Sequence, residues 1–247
     1  MTGTKNISGY KKRWYREWFG EEYLSVYAHR NLSDAKKLID LLITELPLQK
    51  NDLVLDVGCG NARHGKILAR KGFHVIGIDL SNVLLKSALV QNRKNFPFLV
   101  EADMRNLPFR SQFDTVLSLF TSFGYFLSDD MNQKVLEEFN FALKDNGKIF
   151  FDYLNPDYVA TNLDPFTEKT SGKLLIQESR WIDANRVYKK IIIDNSKEFQ
   201  ESVRLYTLND LSQMFDKAGL NILRVFGDYE GNEYSKDSER MIIKAVK

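Results

Sequence analysis

The 247-residue sequence contains a single cysteine, Cys59, so no internal disulfide can form and a reducing, cytoplasmic compartment is the simplest expectation. Histidine is nearly as scarce. His29, His64 and His74 are scattered, and with one cysteine they make no recognisable metal site, so no metal is expected. No apolar run approaches the length needed to span a bilayer. The first residues are polar and basic and lack the apolar core of a signal peptide. An excess of one charge is also missing: 35 Lys and Arg stand against 33 Asp and Glu, a formal net charge of +2. That balance argues against a dedicated nucleic-acid binder, though not against a local basic patch. Internal repeats and low-complexity tracts are absent. What remains is a chain of ordinary apolar content, long enough for one large domain or two small ones.

What is present is concentrated in one stretch, Leu53 to Asp79. An apolar run, Leu53-Val54-Leu55, ends on Asp56 and is followed by the turn Gly58-Cys59-Gly60. A helical segment carries Ile67 and Leu68 among Arg63, Lys66 and Arg70, and Gly72 stops it. A second apolar run, Phe73 to Ile78, then closes on Asp79. Strand, glycine turn, helix and strand make a βαβ unit with the geometry of a nucleotide-type cofactor site. Glycines without Cβ let a cofactor lie against the backbone, and the helix start offers unpaired N–H groups to a carboxylate or phosphate. A dinucleotide site would need G-x-G-x-x-G, but the third position here is Arg63, whose side chain would crowd the helix–strand packing. The pattern present is acid-x-Gly-x-Gly, starting at Asp56.

Amphipathic helices alternate with buried strands on either side of this unit. Ser33 is a candidate N-cap for a helix through Leu46, and Ser81 for one carrying Leu84, Leu85 and Ala88. Strands are expected over Phe96–Val100, Phe113–Leu117 and Lys148–Tyr153, and a helix from Asp129 through Leu143. Continuous apolar strands of this kind indicate a parallel sheet buried on both faces. About fifty residues then precede the next helix, far beyond an ordinary connection. Within them Leu174–Ile182, Arg186–Ile193 and Phe199–Tyr206 alternate like strands, so a three-stranded antiparallel insertion at about 156–206 is expected, added to the main sheet. Thr207 with Asp210 caps a last helix, ended by Gly219, before strands over Leu220–Phe226 and Met241–Val246. Residues 1–32 are aromatic and basic, including Tyr10, Lys11, Lys12, Trp14, Tyr15, Trp18 and Tyr27. They read as a packed helical arm or as a lid, ahead of a domain over 33–247. Tyr15 and Tyr27 are the candidate lid rings against a cationic centre.

The segment from Asp56 resembles motif I of the class I S-adenosylmethionine-dependent methyltransferases, with Ala62 where that family often has a further glycine. The resemblance is good over about 50–155 and looser over 207–247. It implies an α/β, Rossmann-like, mostly parallel seven-stranded sheet with helices on both faces, and S-adenosylmethionine as cofactor with S-adenosylhomocysteine as product. It further implies that Asp56 orients the methionine amino group, that Gly58 and Gly60 line the cofactor, and that Asp79, followed by Leu80, binds the ribose hydroxyls. Asp103-Met104 would contact adenine, and the loop from Leu119 to Tyr125 would lie beside the transferred methyl group. Met104-Arg105 together with that loop is similar to small-molecule N-methyltransferases, including those acting on amino sugars.

In-line displacement from a sulfonium needs alignment and exclusion of water more than activation. A nitrogen acceptor needs no strong base, whereas a hydroxyl benefits from one. Tyr125 and Asp152 are the candidate catalytic groups. Thr121, Tyr153 and Arg180 are candidate substrate contacts, with Asn155 a weaker one and the insertion a cap over the acceptor. A small-molecule acceptor is expected, nitrogen ahead of oxygen, on a monomer or homodimer away from membranes. The alternatives are an RNA (tRNA) methyltransferase using the basic-aromatic arm, a non-catalytic cofactor-binding module or partner subunit, and a nicotinamide dehydrogenase, which Arg63 disfavours.

Overall fold

Alternating apolar residues decide the layers. In a strand, successive side chains point to opposite faces. Val54, Leu117, Phe150 and Ile242 enter one core with Leu38, Ile39, Leu42 and Leu68. Their neighbours Leu55, Val116, Phe151 and Ile243 enter the other core with Val135, Leu136, Phe139 and Phe215. A sheet apolar on both sides must be covered on both sides. Each side chain fully buried in this way contributes about 1.5–3 kcal/mol.

The computed structural model describes residues 13–27, 32–89 and 96–247. Tyr10, Lys11, Lys12 and His29 therefore lie outside the described residues. Two short helices, α1 (Trp14–Trp18) and α2 (Glu21–Val26), precede α3 (Leu32–Glu45). The main sheet is built from β1 (Leu53–Val57), β2 (His74–Asp79), β3 (Phe98–Glu101), β4 (Phe113–Ser118), β5 (Leu143–Leu154), β10 (Asn221–Phe226) and β11 (Arg240–Val246). Its order is β10-β11-β5-β4-β1-β2-β3, with only β11 antiparallel to the rest. The helices α4 (Arg63–Arg70), α5 (Asn82–Leu89), α6 (Asp129–Ala142) and α8 (Leu208–Lys217) alternate with these strands. Leu84 N–H donates to Ser81 Oγ (3.2 Å), and Thr207 and Asp210 form a reciprocal capping box.

The insertion differs from expectation. It begins with α7 (Pro156–Asn162) and continues as a separate antiparallel sheet of four strands: β6 (Phe166–Ser171), β7 (Leu174–Asp183), β8 (Arg186–Ile193) and β9 (Lys197–Arg204). The fourth strand, β6, reads Phe-Thr-Glu-Lys-Thr-Ser and has no apolar alternation, since its one large apolar residue is Phe166, which is exposed. Between β7 and β8, Ala184 (φ 45°) and Asn185 (φ 59°) form a two-residue turn with both residues left-handed, the geometry that suits a tight hairpin. One face of this sheet receives the N-terminal helices. Trp18 packs on Phe199 with ring centroids 4.9 Å apart, and its indole N–H donates to Glu201.

Candidate active site

A cleft of about 410 Å³ lies at the carboxyl edge of β1, β2, β3 and β4, roofed by α1 and α2. This edge is where open α/β sheets bind ligands, because each strand ends in a loop that can present side chains there. The floor is the turn after β1. Gly58 (φ +70°) is confined by packing: a Cβ there would stand 2.8 Å from Ser122 Cβ. Gly60 N–H donates to Asp79 Oδ2 (2.8 Å), and Ser81 N–H donates to Asp79 Oδ1 (2.8 Å). Each carboxylate oxygen keeps a further lone pair, so Asp79 can accept two more hydrogen bonds. Burial pushes the Asp79 carboxyl above its usual range, against the lowering effect of these backbone donors.

Asp56 sits beneath the same turn, 2 % exposed, and its Oδ2 has no hydrogen-bond partner among the described residues. Burial first, and then the charge of Asp79, push its carboxyl up to about 7. Between about pH 4 and 7 the unfolded chain has lost this proton while the folded chain keeps it, so stability falls as pH rises through that window and levels off above it. Asp56→Asn does not titrate there. The variant is expected to gain on the wild type by at most roughly 4 kcal/mol between pH 4 and 8, read from denaturant unfolding at both pH values. A wild-type-to-variant difference that stays constant across this range contradicts the assignment.

Of the residues expected at the site, Gly58, Gly60, Asp79, Leu80, Asp103, Met104, Leu119, Tyr125, Tyr15 and Tyr27 all line the cleft. Asp103 does so with its carboxylate already engaged: Arg105 donates from Nε to Oδ1 (3.0 Å) and from Nη2 to Oδ2 (2.6 Å), and its backbone N–H also reaches Oδ1 (3.0 Å). Burial works to raise this carboxyl, but the Arg105 contacts outweigh it and hold it below the usual range. Arg105 in turn lies over the Phe126 ring, 4.4 Å from the centroid.

Five side chains expected at the acceptor are not among the residues that line the cleft. Asp152 is fully buried behind the loop after β4, bonded to Phe120 N–H, Tyr229 O–H and Arg240. A carboxylate so enclosed cannot touch a reacting atom. Tyr153 is also fully buried, and its hydroxyl donates to the Arg204 carbonyl. Thr121 turns its hydroxyl to Arg240 Nη2 (2.8 Å). Arg180 is held on the insertion by Glu178 and by Thr167 Oγ1 (3.0 Å). Asn155, the weaker candidate, is buried and donates to the carbonyls of Ser235, Lys236 and Ser238.

Residues 54–147 match the family described as methyltransferase domain. Over those residues the chain carries a methyltransferase domain, on a fold that solved S-adenosylmethionine-dependent methyltransferases share. Among its relatives, the cypemycin N-terminal methyltransferase of a Streptomyces species is 25% identical over 222 residues, which are 86% of this chain and 89% of that one. The crystal structure of an S-adenosylmethionine-dependent methyltransferase from Clostridium acetobutylicum ATCC 824 shares the fold with a TM-score of 0.78 at 22% identity, covering 91% of this chain and 97% of that one. The sugar N-methyltransferase KedS8 from Streptoalloteichus sp ATCC 53650 shares it over 100% of this chain and 98% of its own, with a TM-score of 0.72 at 16% identity.

Phe19 and Tyr23 of the aromatic arm and Phe120 of the loop after β4 also line this cleft, and Arg63 lies 4.8 Å from the Phe120 centroid; Phe126 lines it too but carries no distinguishing mark in the sequence. Phe120 stands inside the loop expected to border the cleft, but its prominence comes from a left-handed backbone (φ 55°) that no residue type announces. Arg105 was findable, since it stands two residues after Asp103 in a tight loop. Arg186 was not: it crosses from the insertion to the carbonyls of Gly124 (3.1 Å), Tyr125 (3.3 Å) and Phe126 (3.0 Å), a contact sixty or so residues away in sequence.

Proposed function

We propose that this protein transfers the methyl group of S-adenosylmethionine to the nitrogen of a small-molecule amine. The observation that carries the nitrogen preference is the make-up of the outer cleft. Tyr15, Phe19, Tyr23, Tyr125 and Phe126 form an aromatic wall; of the two candidate catalytic groups only the Tyr125 phenol lines it, while the Asp152 carboxylate is buried elsewhere. Aromatic faces favour a sulfonium before transfer and a methylated ammonium after it. They offer little to a hydroxyl that must lose its proton. The names of two similar proteins support the reading, since KedS8 is a sugar N-methyltransferase and the cypemycin enzyme an N-terminal one.

The orphaned Asp56 Oδ2 and the spare acceptor capacity of Asp79 fit the cofactor. Bound there, it supplies an activated methyl group on sulfur. In this reading Asp79 holds the ribose hydroxyls, the segment after β3 receives adenine, and Asp56 faces the amino group directly or through water. The helices α1 and α2 exclude water from the cleft. They are latched to the insertion, because Glu201 accepts from Trp18 and from Tyr27 O–H (3.0 Å) while Lys189 pairs with Glu201 (3.1 Å). Glu201→Ala is expected to weaken cofactor affinity about 3–10-fold by loosening this roof, measured by calorimetry. Unchanged affinity would remove the lid role of α1 and α2.

The test of the acceptor class is formation of S-adenosylhomocysteine with matched amine and hydroxyl panels: amino sugars against sugars, glycine and sarcosine against glycolate, and short peptides with free against acetylated N-termini. Turnover confined to amines is expected. Turnover confined to hydroxyl compounds would reverse the preference, and turnover only with tRNA would replace the small-molecule acceptor.

A further inference from the structure

The loop after β4 carries two consecutive non-glycine residues in the left-handed region, Phe120 (φ 55°) and Thr121 (φ 63°). One such residue is uncommon, and a β-branched one is rarer still. Strain of this kind persists only where the surroundings over-determine it. Here they do. Phe120 N–H donates to Asp152 Oδ2 (2.9 Å), Thr121 N–H to the Asp152 carbonyl (3.0 Å), and Arg240 Nη2 to Thr121 Oγ1 (2.8 Å). Asp152 is itself fixed by Arg240 Nε (2.8 Å to Oδ1) and by Tyr229 O–H (3.0 Å to Oδ2). Burial and the neighbouring Asp152 charge push the Tyr229 phenol upward, which keeps it a donor. Three separate parts of the chain thus converge on one fully buried carboxylate near the end of β5: the loop after β4, the start of β11, and the loop between β10 and β11.

Phe120 of the strained pair faces the cleft. Leu119, Phe120 and Ser122 line it, and Ser122 Oγ donates to the Gly58 carbonyl (3.1 Å). The strand order β4-β1-β2-β3 sets the direction of the cofactor. If Asp79 on β2 holds ribose and the segment after β3 holds adenine, the amino-acid end must extend past β1 toward β4, onto this loop. We propose that Asp152, with Arg240 and Tyr229, is a positioning unit that holds Phe120 and Thr121 left-handed and so shapes the wall that receives the amino-acid end of the cofactor. The inference rests on the cofactor orientation proposed above. A purely structural role would be an odd use of such a group, since a buried ion pair is seldom a better source of stability than apolar side chains of the same size.

Calorimetry with two probes separates these roles. S-adenosylhomocysteine carries the amino-acid end; 5′-methylthioadenosine has the same nucleoside without it. For Asp152→Asn, affinity for S-adenosylhomocysteine is expected to fall about tenfold or more, with 5′-methylthioadenosine within about threefold of wild type. Because Asp152→Asn leaves the Arg240 charge buried without its partner, Asp152→Leu/Arg240→Met is measured beside it. That double variant removes both charges and the hydrogen bonds that the Asp152 and Arg240 side chains make to Phe120 and Thr121. It is expected to keep the wild-type near-ultraviolet dichroism and to show the same selective loss. Equal loss of both probes, no loss of either, or a double variant that does not fold would overturn the positioning role. If wild-type protein binds 5′-methylthioadenosine but not S-adenosylhomocysteine, the positioning unit fails while the nucleoside site stands. If it binds neither, the cofactor reading itself fails and takes the inference with it.

Discussion

Gly58→Ala is expected to abolish detectable cofactor binding and to lower the melting temperature by about 6–12 °C. Two effects add. A side chain at φ +70° costs about 1–2 kcal/mol. The new Cβ would also stand 2.8 Å from Ser122 Cβ and 3.0 Å from Ser122 Oγ, so the turn or the loop after β4 must shift. Overpacking of that sort typically costs a further 1–3 kcal/mol, roughly, and here it displaces both walls of the cleft at once. The two parts can be separated. Gly58→Ala/Ser122→Gly removes the opposing Cβ and should recover the steric part, leaving the backbone part. Gly58→Ala/Ser122→Ala keeps the Cβ and should recover little. Equal recovery by both partners would mean that the Ser122 hydroxyl, which also donates to the Leu119 carbonyl (2.9 Å), governs the loop instead.

Asp79→Ala should weaken S-adenosylmethionine binding by about 100-fold, equivalent to about 2.7 kcal/mol. Hydrogen bonds to a charged acceptor are worth about 1.5–3 kcal/mol each, and the proposed ribose contact has two. The substitution also frees the N–H groups of Gly60 and Ser81, which the carboxylate now fixes, so part of the loss comes from a less ordered turn. Asp79→Asn separates these contributions, because an amide oxygen can still accept from one backbone donor. It should fall between wild type and Asp79→Ala in affinity. An Asp79→Ala variant that binds S-adenosylmethionine within about threefold of wild type would exclude the ribose role.

Most of the main sheet is legible in the sequence because its strands are buried on both faces. Leu53–Val57 and Lys148–Tyr153 are apolar enough to stand out, and the acids Asp79 and Asp103 follow the strands that present them. The polar strand Phe166–Ser171 is not legible in this way, since it has no apolar face to show periodicity. Asp152 shows the limit more sharply. It ends the same strand edge as the other acids, and sequence position alone makes it look like one of them. What turns it inward is Arg240, a partner 88 residues away in an antiparallel strand, together with Tyr229 from the preceding loop. Pairings at that separation depend on register, which composition does not carry. Tyr153 is lost to the cleft for a related reason: alternation along β5 places it in the core beside Phe151.

The most direct test of the central claim is a calorimetric titration of the purified wild-type protein with S-adenosylmethionine, with NADH titrated in parallel. Saturable binding of S-adenosylmethionine, one per chain, with no heat from NADH, is the predicted result. A folded protein that takes up NADH, or that leaves S-adenosylmethionine unbound, would contradict the assignment of the cleft.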